Sequence, residues 1–297
     1  MEPKVSIVVA VKDGAANVPA LLDALQDRGS GTEVILCCAG DHVPTDGAGV
    51  IQYSLPANTL VPNLWSEGIL RARGKRVALT TAQFIPDANW LTRLREADCD
   101  RWVGVGGAID NDPQASAKDW AIFFLRYSAF APPLLAGEVD EIAADNAVYD
   151  RAAILEHPDL LREGFWEPSF HRRFRAAGRK LALNPDMVVV HHGTVSAYSF
   201  ADQRYRHGRA YGIERAERAS FGRNLLFLLS SPLIAPLLLA RIVSRIARRQ
   251  RYRGKLLRAF PWLVRFSFAW ATGEAGGYAA TLFGRRKIAG HPSKGRA

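Results

Sequence analysis

One carboxylate in the sequence stands in a setting that suits proton transfer. Glu167 follows Phe165 and Trp166 and opens a predicted helix over residues 167–178. Apolar neighbours raise the pKa of a carboxylate towards the range in which it can take a proton from a hydroxyl group. A structural role is the alternative, because the helix dipole stabilises a carboxylate in the first turn of a helix. The residues alone leave both interpretations open.

The elements that would position such a side chain alternate between strands and helices in the first half of the chain. Short β-branched apolar runs predict strands at 5–11, 33–38, 49–53, 76–80 and 102–106. Single helices between these strands predict an α/β fold whose mostly parallel sheet carries helices on both faces. Ligands of such sheets bind at the carboxyl ends of the strands, which points to loops 11–15, 38–42, 80–86 and 106–113.

Composition restricts the class of protein further. Three cysteines, Cys37, Cys38 and Cys99, have neither metal-type nor disulfide-type spacing and are typical of a reducing compartment. The first residues lack the basic region and long apolar core of a signal peptide. We therefore expect the protein on the cytoplasmic side of the membrane.

Charge is distributed unevenly along the chain. Residues 1–203 contain 19 Lys and Arg against 26 Asp and Glu, whereas residues 204–297 contain 20 against 3. A mildly acidic segment of charge −7 therefore precedes a segment of charge +17, and so basic a tail favours a polyanionic partner. The charge asymmetry, together with the apolar runs in the tail, predicts a domain over 1–222 and a membrane-association region over 223–297.

Six segments in the first 212 residues resemble the family 2 glycosyltransferases, which have the GT-A fold. The resemblance covers residues 4–212 and depends on the order of the segments as well as on their residues. The segments are 5–14, 72–79, 85–91, 145–151, 164–178 and 184–192.

The resemblance implies transfer of a sugar from a nucleotide-sugar donor to a lipid-linked or cell-envelope glycan acceptor, with inversion and with Glu167 as general base. It implies acceptor contacts at Asp145 and Asn146, although these residues also suit a polar turn. The implied donor-binding residues are Val11, Asp13, Ala39, Asp41, Thr81, Ala82 and Gln83. For Asp13 the alternative is a place in the cap region of a helix.

The sequence departs from the family at the metal motif. Thr81-Ala82-Gln83 stands where the family has Asp-x-Asp, and Mg²⁺ or Mn²⁺ prefers carboxylate oxygens. The resemblance therefore leaves a divalent metal or no metal as alternatives. His191 is either a metal ligand or a histidine with satisfied hydrogen bonds at a strand end. Gln203 and Arg206 resemble an element that contacts the diphosphate or leaving group.

The tail has two apolar stretches. Residues 224–240 carry no charge, and residues 259–284 are interrupted only by Arg265 and Glu274. Arginine-rich residues 241–258 separate them, and the positive-inside tendency opposes moving that link across the bilayer. We expect both stretches to lie on, or dip into, the cytoplasmic leaflet of the plasma membrane, with two true spans as the alternative.

Two other classes of function compete with an active transferase. The missing Asp-x-Asp favours a catalytically degenerate GT-A domain that binds a nucleotide or a protein partner at the membrane. A nucleic-acid binder is disfavoured because the apolar stretches of the tail are too long for an exposed nucleic-acid face. The expected partners are a nucleotide-sugar donor, a lipid-linked or glycan acceptor and an anionic membrane surface, and no nucleic acid.

Overall fold

Strands from the whole length of the first 191 residues form one mixed sheet. The computed structural model describes residues 3–29, 31–43, 45 and 49–289. The strands are β1 (Val5–Val11), β2 (Thr32–Ala39), β3 (Val50–Leu55), β4 (Arg76–Thr81), β5 (Phe84–Pro86), β6 (Gly104–Asn111), β7 (Gly137–Val139), β8 (Ala147–Asp150) and β9 (Leu181–His191). Their order is β3-β2-β1-β4-β8-β6-β9-β5, and β7 pairs with β9. Strand β8 runs antiparallel to both β4 and β6, and β5 and β7 run antiparallel to β9.

Eleven α-helices accompany these strands in the described part of the chain. They are α1 (Val18–Ala24), α2 (Val61–Arg71), α3 (Trp90–Glu96), α4 (Ala117–Tyr127), α5 (Arg151–Leu155), α6 (Pro158–Glu163), α7 (Glu167–Ala176), α8 (Ala197–Glu217), α9 (Phe221–Ser230), α10 (Ile234–Ala247) and α11 (Arg253–Ala289).

The chain divides into two compact units. The first comprises residues 1–114 and 129–193 and holds the sheet. The second comprises residues 115–128 and 194–297 and holds α4 and α8 to α11. The domain boundary predicted at residue 222 falls inside α9 of the second unit, and residues 290–297 of the predicted tail lie outside the described residues.

The core of the first unit fixes where its central strands end. Every side chain of β1 is buried, as expected for a β-branched strand in the middle of a parallel sheet. Helix α2 packs closely on this strand: a Cβ at Gly68 would lie 2.2 Å from Cγ1 of Val8. The indole N–H of Trp65 on the same helix donates to the carbonyl of Thr80 at 2.8 Å. These contacts hold the carboxyl ends of β1 and β4 beside each other.

The predicted fold class is confirmed. The five strands predicted in the first half of the chain correspond to β1, β2, β3, β4 and β6, and the first four are parallel. Strands β5, β7 and β8 were not predicted. Each has only three or four residues, which is too short for a period-two pattern to emerge.

Glycines bring two helices of the second unit into close contact. A Cβ at Gly273 of α11 would lie 2.1 Å from the carbonyl oxygen of Tyr205 on α8, and one at Gly208 would lie 2.3 Å from that of Trp270. Leu263 and Phe266 of α11 are buried. Part of the stretch 259–284 therefore packs inside the second unit, whereas Phe260, Phe268 and Phe283 of the same stretch are exposed.

The first apolar stretch of the tail behaves differently. Residues Phe221–Ala247 form a helical segment that contains an 18-residue stretch with a mean hydropathy of 2.0, so it is long and apolar enough to cross a membrane. Most of its surface is exposed, and the exposed leucines include Leu226, Leu229, Leu233 and Leu237. Exposed apolar surface of this extent is typical of interaction sites.

Candidate active site

The carboxyl ends of three parallel strands meet at one edge of the first unit. Val11, the last residue of β1, pairs with Cys38 in β2, and Ala10 pairs with Thr81 in β4. The backbone N–H of Ala82 donates to the carbonyl of Ala10 at 3.0 Å. The predicted donor-binding loops after β1, β2 and β4 are thus neighbours, as the position of ligand sites in parallel sheets requires.

Two exposed carboxylates lie in these loops. Asp13 follows β1, and Asp41 follows β2 two residues beyond Ala39. Gly14, at φ +80°, turns the first loop so tightly that a Cβ there would lie 3.0 Å from the carbonyl oxygen of Ala82. The short helical turn that follows is capped by Gly14 without a side-chain hydrogen bond, so Asp13 does not act as a helix cap. Val11 is buried.

The segment after β4 is part of the core. Thr81, Ala82 and Gln83 are all buried. The hydroxyl of Thr81 accepts from the backbone N–H of Gln83 at 3.3 Å, and the carbonyl of Gln83 accepts from the N–H of His192 at 2.7 Å. The segment therefore joins the end of β4 to the end of β9.

His191 lies at the end of β9 and is buried. Its Nδ1 lies 3.1 Å from Oδ1 of Asn111, and its ring packs on Phe84 with centroids 5.2 Å apart. A Cβ at Gly193 would lie 2.6 Å from its Nε2 and 2.9 Å from Cδ of Gln83. The glycine thus leaves space where an imidazole and an amide approach each other.

These residues do not fit the divalent-metal site that the family resemblance implies. Hard cations such as Mg²⁺ and Mn²⁺ require several oxygen ligands, and residues 81–83 supply no carboxylate. Within the described residues, no three His, Cys, Asp or Glu side chains are grouped so that they could hold a metal ion. No step of the chemistry is therefore assigned to a metal.

Glu167 is the first residue of α7, and the structure ties it to a neighbouring turn. Its Oε1 accepts a hydrogen bond from the backbone N–H of Ala144 at 3.2 Å. Phe165 before it is buried, whereas Trp166 is 44% exposed. Burial raises the pKa of Glu167, and the negative charge of Glu141 adds to the rise. The carboxylate is thus a stronger base than an exposed one.

Asp145 lies in the turn that Glu167 contacts. The turn spans Ala144–Asn146 and leads directly into β8. Burial raises the pKa of Tyr149 well above its usual range, and the charges of Glu167 and Asp145 contribute to the rise. Both carboxylates therefore act on the same phenol, which places them in one acidic neighbourhood.

Asn146 is a core residue. Its side chain is 0% exposed. Its Oδ1 accepts from the indole of Trp90 at 2.8 Å, while Nδ2 donates to the carbonyls of Ala108 at 2.8 Å and Met187 at 2.9 Å. An acceptor could reach this amide only by displacing those bonds, which join α3, β6 and β9.

The two residues predicted to contact the leaving group lie on α8 of the second unit. Oε1 of Gln203 accepts from the guanidinium of Arg126 at 3.0 Å. Nε of Arg206 lies 2.8 Å from Oδ2 of Asp202, and the Arg206 side chain is largely exposed. Each therefore has a partner of its own within its unit.

Two polar features of the strand-end region were missing from the predicted site. Nζ of Lys12 donates to the carbonyl of Thr59 at 2.8 Å beside the end of β1. Asp112 and His192 follow β6 and β9, and Oδ2 of the first lies 3.3 Å from Nδ1 of the second. The signal for all three was their position directly after buried strands, and loops 11–15 and 106–113 already contained Lys12 and Asp112.

The sheet order, with antiparallel β8 inserted between β4 and β6, and the loops gathered at the strand ends are consistent with a GT-A-like fold. No protein-family model and no curated protein matches the chain. Among solved structures, the mannosyltransferase PcManGT from Pyrobaculum calidifontis, in complex with GDP-Man and Mn2+, is similar at 16% identity with a TM-score of 0.49. The alignment covers 98% of this chain and 82% of that one.

Proposed function

We propose that the chain is a glycosyltransferase that moves a sugar from a nucleotide-sugar donor to a lipid-linked or cell-envelope glycan acceptor with inversion. The observation that carries the proposal is Glu167: a carboxylate of raised pKa, held by the N–H of Ala144 beside the Asp145 turn. It occurs in a unit whose strand-end loops converge as a GT-A-like fold requires.

The donor is assigned to the edge formed by β1, β2 and β4. Asp13 and Asp41 are exposed there and can accept hydrogen bonds from a base or a ribose. Val11, Ala39 and residues 81–83 would contribute backbone atoms and shape. The acceptor is assigned to the Asp145 turn, beside the proposed base.

In the proposed reaction, the acceptor hydroxyl oxygen attacks the anomeric carbon of the donor from the side opposite the diphosphate. Its proton passes to the Glu167 carboxylate, and the bond from the anomeric carbon to the diphosphate oxygen breaks. The electron pair of that bond leaves with the nucleoside diphosphate. In-line attack through an oxocarbenium-like state inverts the configuration at the sugar carbon.

Charge on the departing diphosphate requires compensation, and the proposal assigns this to cationic and amide side chains. Residues 81–83 have no carboxylate with which to hold a metal there. Arginine and lysine bind phosphate oxygens through charge-assisted hydrogen bonds. Lys12 at the end of β1 is the candidate within the first unit, and Arg206 and Gln203 on α8 are candidates from the family resemblance alone.

We further propose that the protein works on the cytoplasmic face of the plasma membrane. The exposed leucines of α9 and α10 form the apolar surface, and the arginines that follow suit anionic lipids. An acceptor in or near the bilayer is consistent with this location.

The first test is a panel of UDP, GDP, CDP and TDP, each with Mn²⁺ or with EDTA, scored by the thermal unfolding of purified protein. A nucleotide at a hundredfold its Kd stabilises the folded state by about 2.7 kcal/mol. Release of that nucleoside diphosphate from the matching nucleotide sugar would then establish turnover. Absence of a shift with every nucleotide contradicts the proposed donor site.

A second function is favoured by one observation, the buried and carboxylate-free segment 81–83. It is a degenerate GT-A domain that binds a nucleotide or a protein partner at the membrane without transferring sugar. The same panel separates the two functions, since the degenerate domain would bind a nucleotide and release none from its sugar conjugate.

A further inference from the structure

A cavity of about 480 Å³ lies inside the second unit. Its walls come from α4, α8, α10 and α11. Arginines Arg204, Arg241 and Arg245 line it together with apolar side chains such as Leu237, Ile242 and Trp270. A cavity that is both cationic and apolar suits a ligand with the same two properties.

The three arginines have no carboxylate partner in the part of the chain that the structure describes. Arg204 is partly buried and packs on the Trp270 ring at 4.3 Å, and its Nε is buried without a hydrogen-bond partner among the described residues. Burial, with the charge of Arg126, lowers the pKa of Arg204 to about 10. A partly buried guanidinium with an unused donor is stabilised by an incoming anion.

The one carboxylate in the cavity wall is already engaged. Glu274 accepts hydrogen bonds from the indole of Trp270 at 2.8 Å and from the hydroxyl of Tyr278 at 2.5 Å. Nη1 of Arg215 lies 3.7 Å from its Oε1 and balances its charge. The charges of Arg204, Arg241 and Arg245 therefore remain to attract a ligand.

The apolar surface of the tail leads to this cavity. Leu229, Leu233 and Leu237 are 70%, 60% and 67% exposed, and on α10 Leu237 is followed at four-residue spacing by Arg241 and Arg245. On α10, residues four apart lie on one face. Leu237 belongs both to the exposed stripe and to the cavity wall, so the cavity adjoins the surface that we assign to the membrane.

We infer that this cavity binds the phosphate headgroup of a single membrane lipid, with the first methylene groups of its chain against the apolar wall. The guanidinium groups of Arg204, Arg241 and Arg245 would hold the phosphate, since planar guanidinium groups match phosphate oxygens. This is a defined site, distinct from the diffuse attraction of a basic surface to anionic lipids.

Calorimetric titration of the full-length protein tests the inference, with dodecyl phosphate kept below its micellar concentration as the probe. Inorganic phosphate supplies the headgroup alone, and dodecyl maltoside supplies the chain alone. Burial of two methylene groups is worth about tenfold in affinity, so dodecyl phosphate should bind at least tenfold more tightly than inorganic phosphate. Dodecyl maltoside at the same concentration should not displace it.

Substitutions then locate the site. Arg204→Gln and Arg241→Gln should each weaken dodecyl phosphate binding by about tenfold to a hundredfold, because each removes charge-assisted hydrogen bonds. Arg248→Gln is the matched control, since Arg248 is exposed at the end of α10 and does not line the cavity. Circular dichroism checks folding, and exposed Arg241 provides the decisive variant if Arg204→Gln does not fold.

Three results would overturn the inference. Equal binding of inorganic and dodecyl phosphate would make this a plain anion site, and displacement by dodecyl maltoside would make it an apolar site. Equal affinity in wild type, Arg241→Gln and Arg248→Gln would place binding elsewhere. The titration uses no nucleotide sugar, so its failure leaves the proposed transferase reaction untouched.

Discussion

Replacing Glu167 by Gln tests the proposed chemistry with little change in shape. The amide keeps an oxygen that can accept from the N–H of Ala144, a bond of 3.2 Å in the structure. It cannot accept the proton of an acceptor hydroxyl. Positioning of α7 and of the Asp145 turn should therefore survive while base catalysis is lost.

The expected loss follows from the role of a general base. Such a group typically contributes about 10²- to 10⁴-fold to rate, or about 2.7–5.4 kcal/mol of transition-state stabilisation. We expect kcat for release of nucleoside diphosphate in the presence of acceptor to fall by that factor, while the nucleotide Kd changes little. The raised pKa of Glu167 also predicts that kcat/KM of the wild type rises with pH through a value above 4.5, an acid limb that the variant lacks.

The folded state of Glu167→Gln should be as stable as the wild type or more stable, although its activity falls. Because the pKa of Glu167 is higher in the folded than in the unfolded chain, the folded protein binds more protons above pH 4.5, and this group's contribution to stability falls as pH rises. Glu167→Gln removes that unfavourable charge, so its unfolding temperature at pH 8 should equal or exceed that of the wild type. A purely structural carboxylate predicts a drop instead.

Glu163→Gln is the matched control, because Glu163 is exposed at the end of α6 and undergoes the same isosteric change. The reasoning is refuted if Glu167→Gln retains more than a tenth of wild-type kcat. It is also refuted if both variants lose activity equally.

Three further predictions rest on other parts of the molecule. Gly273→Ala should destabilise the protein by about 1–3 kcal/mol in urea unfolding, because the added Cβ has no space. Gly222→Ala, whose Cβ would have nothing within 4 Å, should instead stabilise the protein by up to about 1 kcal/mol. Equal effects would contradict the close packing of α8 on α11. Leu237→Glu should weaken binding to anionic vesicles at least about tenfold. Leu135→Glu, at a leucine that is also exposed but lies in the first unit, should not weaken it. Equal binding of the two variants would show that α10 does not contact the membrane. EDTA should leave nucleotide binding and turnover unchanged because residues 81–83 carry no carboxylate, and a more than tenfold loss that Mn²⁺ restores would show that other groups hold a metal.

The sequence predicted the first unit well where its signals are local. Runs such as residues 5–11 and 33–38 are long and β-branched, and a short-range pattern is enough to identify a buried parallel strand. Strand β8 was not predicted, because its four residues pair with β4 and β6, which come from distant parts of the chain. The position of the predicted donor loops followed from the strand order, whereas their contacts did not.

Individual site residues show which features the sequence pattern does not predict. Asp145 and Asn146 are adjacent and equally polar, yet one lies in a partly exposed turn and the other is enclosed by Trp90, Ala108 and Met187. Apolar neighbours in the sequence predicted the raised pKa of Glu167. They did not predict its hydrogen bond from the N–H of Ala144, which lies 23 positions away in the chain. Polarity alone does not say which side chain of a pair faces the core.

By itself, the sequence determined the α/β class of the first unit, the uneven charge and the apolar character of the tail, because each depends only on residue type and spacing. Only the tertiary structure decided which side chains of each apolar stretch remain exposed. Residues 221–247 and 259–284 are similar in composition, but Gly208 and Gly273 let one face of α11 pack closely on α8. Phe260, Phe268 and Phe283 of α11 and the leucines of α9 and α10 remain exposed. Burial depends on the tertiary contacts of a residue, and those contacts come from residues far along the chain.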